Sequence, residues 1–166
     1  MEREITAELR RWVEERAAAA GFDCAGVAAV PEPESAEAVA EDGRFAAWVE
    51  AGRAGEMEYL KRVDDGGGLV RGSLRRAMPW ARSVMVFAVN YNAQGPLSVD
   101  EAEAGAGWIA RYAWSGDGEG PSDYHDVLLP KLKVVERELR ERVGGDLETR
   151  CYVDTGPVGN RLLKRS

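Results

Sequence analysis

One carboxylate stands out by its setting. Tyr152-Val153-Asp154-Thr155-Gly156-Pro157-Val158 reads as an apolar strand entering a tight Thr-Gly-Pro turn. Such a turn presents the side chain of Asp154 at a sheet edge facing a cleft, where a carboxyl can donate a proton. The same residues also fit a turn or capping aspartate ahead of a helix beginning at Pro157. Residue types alone leave both readings open. The single histidine, His125, opens a long helical pattern beside Asp123, a natural N-cap; alone it reads as a surface or packing histidine. Arg111 and Tyr112 divide evenly between scaffold and site. Arg71, Arg75, Arg76 and Arg82 read as a solvated helix face, with phosphate contact as the alternative.

The two cysteines, Cys24 and Cys151, lie far apart in apolar strand-like runs, with no C-x-x-C. A zinc ribbon, a redox dithiol or an iron–sulfur site cannot be built from this chain alone. Both thiols are expected to be reduced, buried and inert. No metal site is expected.

The elements that must position these residues follow from periodicity. Residues 4–20 predict a helix through Ile5, Leu9, Trp12, Val13 and Arg16, stopped by Gly21. Phe22 to Val30 predicts a strand, closed by Pro31 and Pro33. Ser35 caps a second helix with a Phe45, Trp48, Val49 stripe, ending near Gly52. Gly55 to Leu60 is a compact loop or short helix, Asp64 to Gly68 a flexible loop, and Leu74 to Met78 a short helix ended by Pro79. Ser83 to Val89 predicts a strand buried on both faces. Gln94–Gly107 and Asp117–Pro121 are loops. A helix spans about Ser122 to Val143, kinked or restarted at Pro130, and Thr149 to Val153 is the final strand. Trp12, Trp48 and Tyr59 are expected in the core. The order predicts an α/β (α+β) domain in which helices cover a central sheet, spanning 1–166 as one unit.

Composition sets the remaining bounds. The chain has 166 residues, 45% hydrophobic and 31% charged, which is ordinary for a globular domain with its own core. With 29 acidic and 22 basic residues its formal charge is -7, which argues against gripping nucleic acid by bulk charge. The N-terminus enters an amphipathic helix rather than a signal peptide, and no apolar run spans a bilayer, so a cytoplasmic protein is expected.

Five segments in order resemble a known family: Gly55-Glu56-Met57 with Tyr59-Leu60 and Arg62; Ala81-Arg82-Ser83-Val84 with Asn90-Tyr91; Ala110-Arg111-Tyr112-Ala113; Asp123-Tyr124-His125; and Val153-Asp154-Thr155-Gly156-Pro157. Together they resemble the N-terminal half of epoxyqueuosine reductase, the cobalamin-dependent oxidoreductase of queuosine biosynthesis. The resemblance implies a nitroreductase-like cobalamin-binding domain. It implies base-off cobalamin held in a cleft against a ferredoxin-like part with two [4Fe–4S] clusters. The implied substrate is tRNA carrying epoxyqueuosine, whose epoxide is reduced to an alkene. Carried over residue by residue, it makes Asp154 the proton donor and places Arg62 and Ala110 against the corrinoid; it adds His125 and Arg111 as candidates for the same lining. An acid in this role must hold its proton near neutral pH, and a bulky apolar macrocycle closing a cleft favours the neutral form.

The departures are as telling. The family's Gly-rich lysine segment and its two cluster motifs do not follow Pro157. Gly159-Asn160 replace bulkier and acidic residues, and Asp117–Ser122 lengthens a loop. The resemblance therefore implies a truncated or split product, inactive without its cluster-bearing half. The rival expectation is a stand-alone corrinoid-binding or scaffold module completed by a partner protein; a flavin-using nitroreductase-like protein is a third.

Overall fold

A computed structural model describes residues 6–92, 94–97, 99–114 and 123–156. Ile5, the Asp117–Pro121 loop and the helix expected from Pro157 lie outside them. The described chain is a mixed α/β arrangement of a small two-stranded sheet and helices. The strands are β1 (Cys24–Ala29) and β2 (Ser83–Ala88). The amide of Asp23 donates to the Ala88 carbonyl and that of Val30 to the Arg82 carbonyl, an antiparallel register.

The described residues divide into two compact units, 27–86 with 155–156, and 6–26 with the described part of 87–154. In the second, α1 (Ala7–Ala19) starts where the Thr6 hydroxyl accepts the Leu9 amide at 3.1 Å. It stops at Gly21, whose φ of +83° lets the Gly21 and Phe22 amides return to the Ala18 and Ala17 carbonyls. The other helix here is α4 (Tyr124–Val143), capped by Asp123. It continues through Pro130 without a restart. Ala17, Phe22 and Val135 form the buried core, with Ala25, Phe87, Leu128 and Leu132 packed on it. Helices α1 and α4 thus cover one end of the strand pair. Phe22 and Phe87 add a ring contact at 5.1 Å.

In the first unit, α2 (Ala36–Glu50) begins where the Ser35 hydroxyl accepts the Ala38 amide, and α3 (Leu74–Ala77) ends ahead of Pro79. Val30, Leu74 and Ala81 are its buried cluster, with Met78, Trp80 and Val84 against them. The 64–68 loop is built rather than loose: one Asp64 carboxylate oxygen accepts the Gly66 and Gly68 amides. The other accepts from Arg76, which also holds Asp42. Bonding to Arg76, then to Gly68, keeps the Asp64 carboxyl below its ordinary range.

Four expectations need correction. The middle of β2 is half-buried and its ends exposed, because only one other strand flanks it among the described residues. Cys24 is exposed and Cys151 half-buried, both free thiols. Tyr59 is exposed, with the Arg71 guanidinium over its ring at 4.8 Å. The four arginines are not a solvated row. Arg75 bonds the Val30 and Pro31 carbonyls and Glu32, Arg76 bridges two aspartates, and Arg71 donates to the Gly156 carbonyl. Arg82 donates to the Pro79 and Ala81 carbonyls. Among the described residues, no helix is long and apolar enough to cross a membrane.

Candidate functional site

Asp154 is reached by a route the residues had not suggested. Residues 147–154 form no ladder with β1 or β2, so the expected final strand is absent. Two glycines with left-handed φ, Gly144 at +66° and Gly145 at +69°, turn the chain after α4. The segment then returns beside the same helix, tied to it through side chains. The Thr149 hydroxyl accepts from Arg140 at 2.6 Å and donates to Glu136. Tyr124, the first residue of α4, donates its hydroxyl to Asp154 Oδ2 at 3.0 Å. Val153 is buried between these ties, whereas Asp154 is exposed. Asp154 therefore sits by the first turn of α4 and not at a sheet edge.

Burial works against ionised Glu136, yet the bonds from Lys133 and Thr149 outweigh it and hold the carboxyl below its ordinary value of 4.5. Burial first, and then the Glu136 charge, pushes the neighbouring Cys151 thiol up. These two groups fix the middle of the returning segment in one charge state near neutral pH.

Asp154 is the one non-glycine residue with positive φ, +54°, among the described residues. Aspartate tolerates this region better than most residues but still prefers to avoid it. Val153, the residue before it, is buried.

Aromatic contacts surround Tyr124. Its ring lies 4.2 Å from that of His125 and meets the edge of Tyr112 at 5.6 Å. Its phenol is held above the ordinary 10.0, chiefly by the bond to Asp154 and then by desolvation. His125 turns back on its own helix cap: its ring nitrogen lies 2.7 Å from Asp123 Oδ1, which also accepts the His125 amide. The amide bond, then the ring bond, lowers the Asp123 carboxyl.

Among the other expected site residues, Ala110 is exposed in a run that includes exposed Trp108 and Ile109. Arg111 serves the scaffold in this arrangement. Its guanidinium donates to Asn92 Oδ1 at 3.0 Å and to the Gly95 and Pro96 carbonyls, and lies over Trp114. Arg62, in the first unit, is exposed; its carbonyl accepts the Val70 amide, and its side chain has no hydrogen-bond partner among the described residues. Asp154, Tyr124, His125 and Tyr112 thus come together, while Arg62 stands in the other compact unit. Tyr112 had been weighed evenly between scaffold and site, and Tyr124 was not singled out as a site residue from sequence. The available signal was a tyrosine directly after an N-cap, an apolar ring with a polar tip at a helix start. Among the described residues no cluster of histidine, cysteine and acidic side chains could hold a metal ion.

Comparison with known proteins supplies the identification. A family model described as "Epoxyqueuosine reductase QueG, DUF1730" matches residues 71–155, just over half of the chain. That span contains Ala110, Arg111, His125 and Asp154 but not Arg62. The Synechocystis sp. protein named epoxyqueuosine reductase is 36% identical over 133 residues, 80% of this chain and 39% of its own length. The Gloeobacter violaceus protein of that name is 34% identical over 149 residues, 88% of this chain and 39% of its own. The Leadbetterella byssophila protein of that name is 27% identical over 165 residues, 96% and 45% respectively. The chain therefore spans less than half the length of these relatives. No solved structure matches it. By this sequence agreement, the chain belongs to the epoxyqueuosine reductase family.

Proposed function

We propose that this chain forms the cobalamin-facing, proton-donating part of an epoxyqueuosine reductase acting on tRNA, with Asp154 as the acid and a nitroreductase-like domain as its frame. Converting an epoxide to an alkene consumes two electrons and two protons and releases the oxygen as water. Bound cobalamin would supply the reducing chemistry. This chain's task is to put a proton on the departing oxygen, and a carboxyl held in one orientation at an exposed edge suits it. The observation that carries the reading is the pinned, left-handed Asp154 with Tyr124 on one carboxylate oxygen.

The lining residues fit a corrinoid. Ala110 offers a small side chain beside exposed Trp108 and Ile109, as close approach of a flat macrocycle requires. Arg62, in the other compact unit, is a separate expected contact through its exposed guanidinium. With only two cysteines, this sequence cannot ligate the iron–sulfur clusters the reaction draws on. The 166 residues alone are expected to bind the cofactor without turning over.

The test is to titrate the purified chain with cob(II)alamin and follow the shift to the base-off spectrum. Epoxide reduction on tRNA is then assayed with and without a separately made cluster-bearing half of a relative. Binding together with complemented turnover, abolished by Asp154→Asn, is the expected result. Binding with no complementation would identify a stand-alone corrinoid-binding module. No spectral change would remove the cobalamin reading.

A further inference from the structure

We infer that Tyr124 is the positioning residue of Asp154: its hydroxyl occupies Oδ2 and leaves Oδ1 as the oxygen that works on the substrate. The inference rests on the reading of Asp154 as the acid.

Exposure does not force this hydrogen bond, since both partners can reach water. Geometry makes it. The Tyr124 backbone is fixed as the first residue of α4 by the Asp123 cap, and its ring contacts the His125 and Tyr112 rings. On the other side, the Asp154 backbone is left-handed and its Oδ2 accepts the hydroxyl at 3.0 Å. No second hydrogen bond reaches this carboxylate among the described residues. One oxygen is therefore anchored and the other available, so the carboxyl's rotation is restricted before a substrate arrives.

The charge state of Tyr124 agrees with a fixed donor rather than a relay. Its phenol is held above the ordinary range by Asp154 itself, so it keeps its proton through neutral pH. It is therefore not the group that protonates the departing oxygen. Tyr124 contributes direction.

Two measurements test this. The first needs no activity. The tyrosinate absorbance of the chain is titrated with alkali, and the Tyr124→Phe titration is subtracted to isolate one phenol. That component is expected above the ordinary phenol range and to fall back in Asp154→Gly, a substitution that keeps the left-handed backbone and removes the acceptor. A component unmoved by Asp154→Gly would overturn the inference. The second measurement uses the chain complemented with a cluster-bearing half. Tyr124→Phe, which keeps the ring contacts, is expected to lower kcat by about 10- to 100-fold with KM and cobalamin affinity unchanged. Full kcat in Tyr124→Phe, where Asp154→Asn is inactive, would sink the positioning role and leave the acid role standing. Full turnover in Asp154→Asn would remove the acid role, and this inference with it.

Discussion

Tyr124 and Asp154 stand thirty residues apart in sequence and meet hydroxyl to carboxylate at 3.0 Å. The meeting follows from matched lengths. From Tyr124 to Glu136 the helix rises about 18 Å. From Thr149, which is bonded to Glu136, five residues that can span at most about 18 Å lead to Asp154. The helix and the returning segment are tied at both ends, and the acid arrives where the hydroxyl waits.

The left-handed backbone at Asp154 predicts a graded response to substitution. Asp154→Asn and Asp154→Gly should leave stability nearly unchanged, because both residues accept positive φ. Asp154→Val should cost about 1–2 kcal/mol, since a β-branched side chain clashes there. Denaturant unfolding of the three variants checks the order. Equal stability of the valine variant would mean that the backbone relaxes.

Acid should loosen the returning segment. Glu136 has its carboxyl held below 4.5 in the folded chain. A lowered folded value stabilises above the unfolded value and loses that stabilisation as pH falls through the folded one. The Thr149 tie should therefore be intact at neutral pH and weaken below about pH 4.5. Hydrogen exchange of the Thr149–Val153 amides, compared with Glu136→Gln, reports it. Protection that is independent of pH in the parent chain would contradict the assignment.

The thiols should react unequally. Cys24 is exposed, while Cys151 is half-buried with its thiol pushed up by burial and by Glu136. An alkylating reagent near neutral pH should modify Cys24 at least about tenfold faster, because only the thiolate attacks. Mass spectrometry of a time course decides this, and equal rates would contradict it.

Gly68 should depend on Arg76. A Cβ at this glycine would run into the Arg76 guanidinium, which bridges Asp64 and Asp42. The guanidinium can swing away, so Gly68→Ala should cost only the partly exposed ion pairs, about 1 kcal/mol. In an Arg76→Ala background the penalty should vanish. A thermal-unfolding double-mutant cycle with no coupling would show that the glycine serves another purpose.

Local signals in the sequence were dependable. Ser35, Asp123 and Gly21 marked helix ends because caps act within three or four residues. The final strand was misread for a physical reason. Cys151 to Val153 shows the same apolar character whether an extended segment pairs with a strand or lies along a helix, and only the partner distinguishes them. The arginines were misread for a related reason: the partners of Arg75 and Arg76 lie 12 to 45 residues away. Asp154 was legible as a candidate from its turn and its family motif, although the sheet edge it was expected on is absent. Tyr124 was not, because its ring satisfied the spacing of an apolar helix face and so needed no other explanation.

Thr149 and its tie to Glu136 act as the zero mark of a ruler. Everything between them and Asp154 counts distance, so the position of the acid is encoded in chain length more than in side-chain identity. A single residue inserted between Thr149 and Asp154 would move it by about 3.3 Å, past the reach of one hydrogen bond.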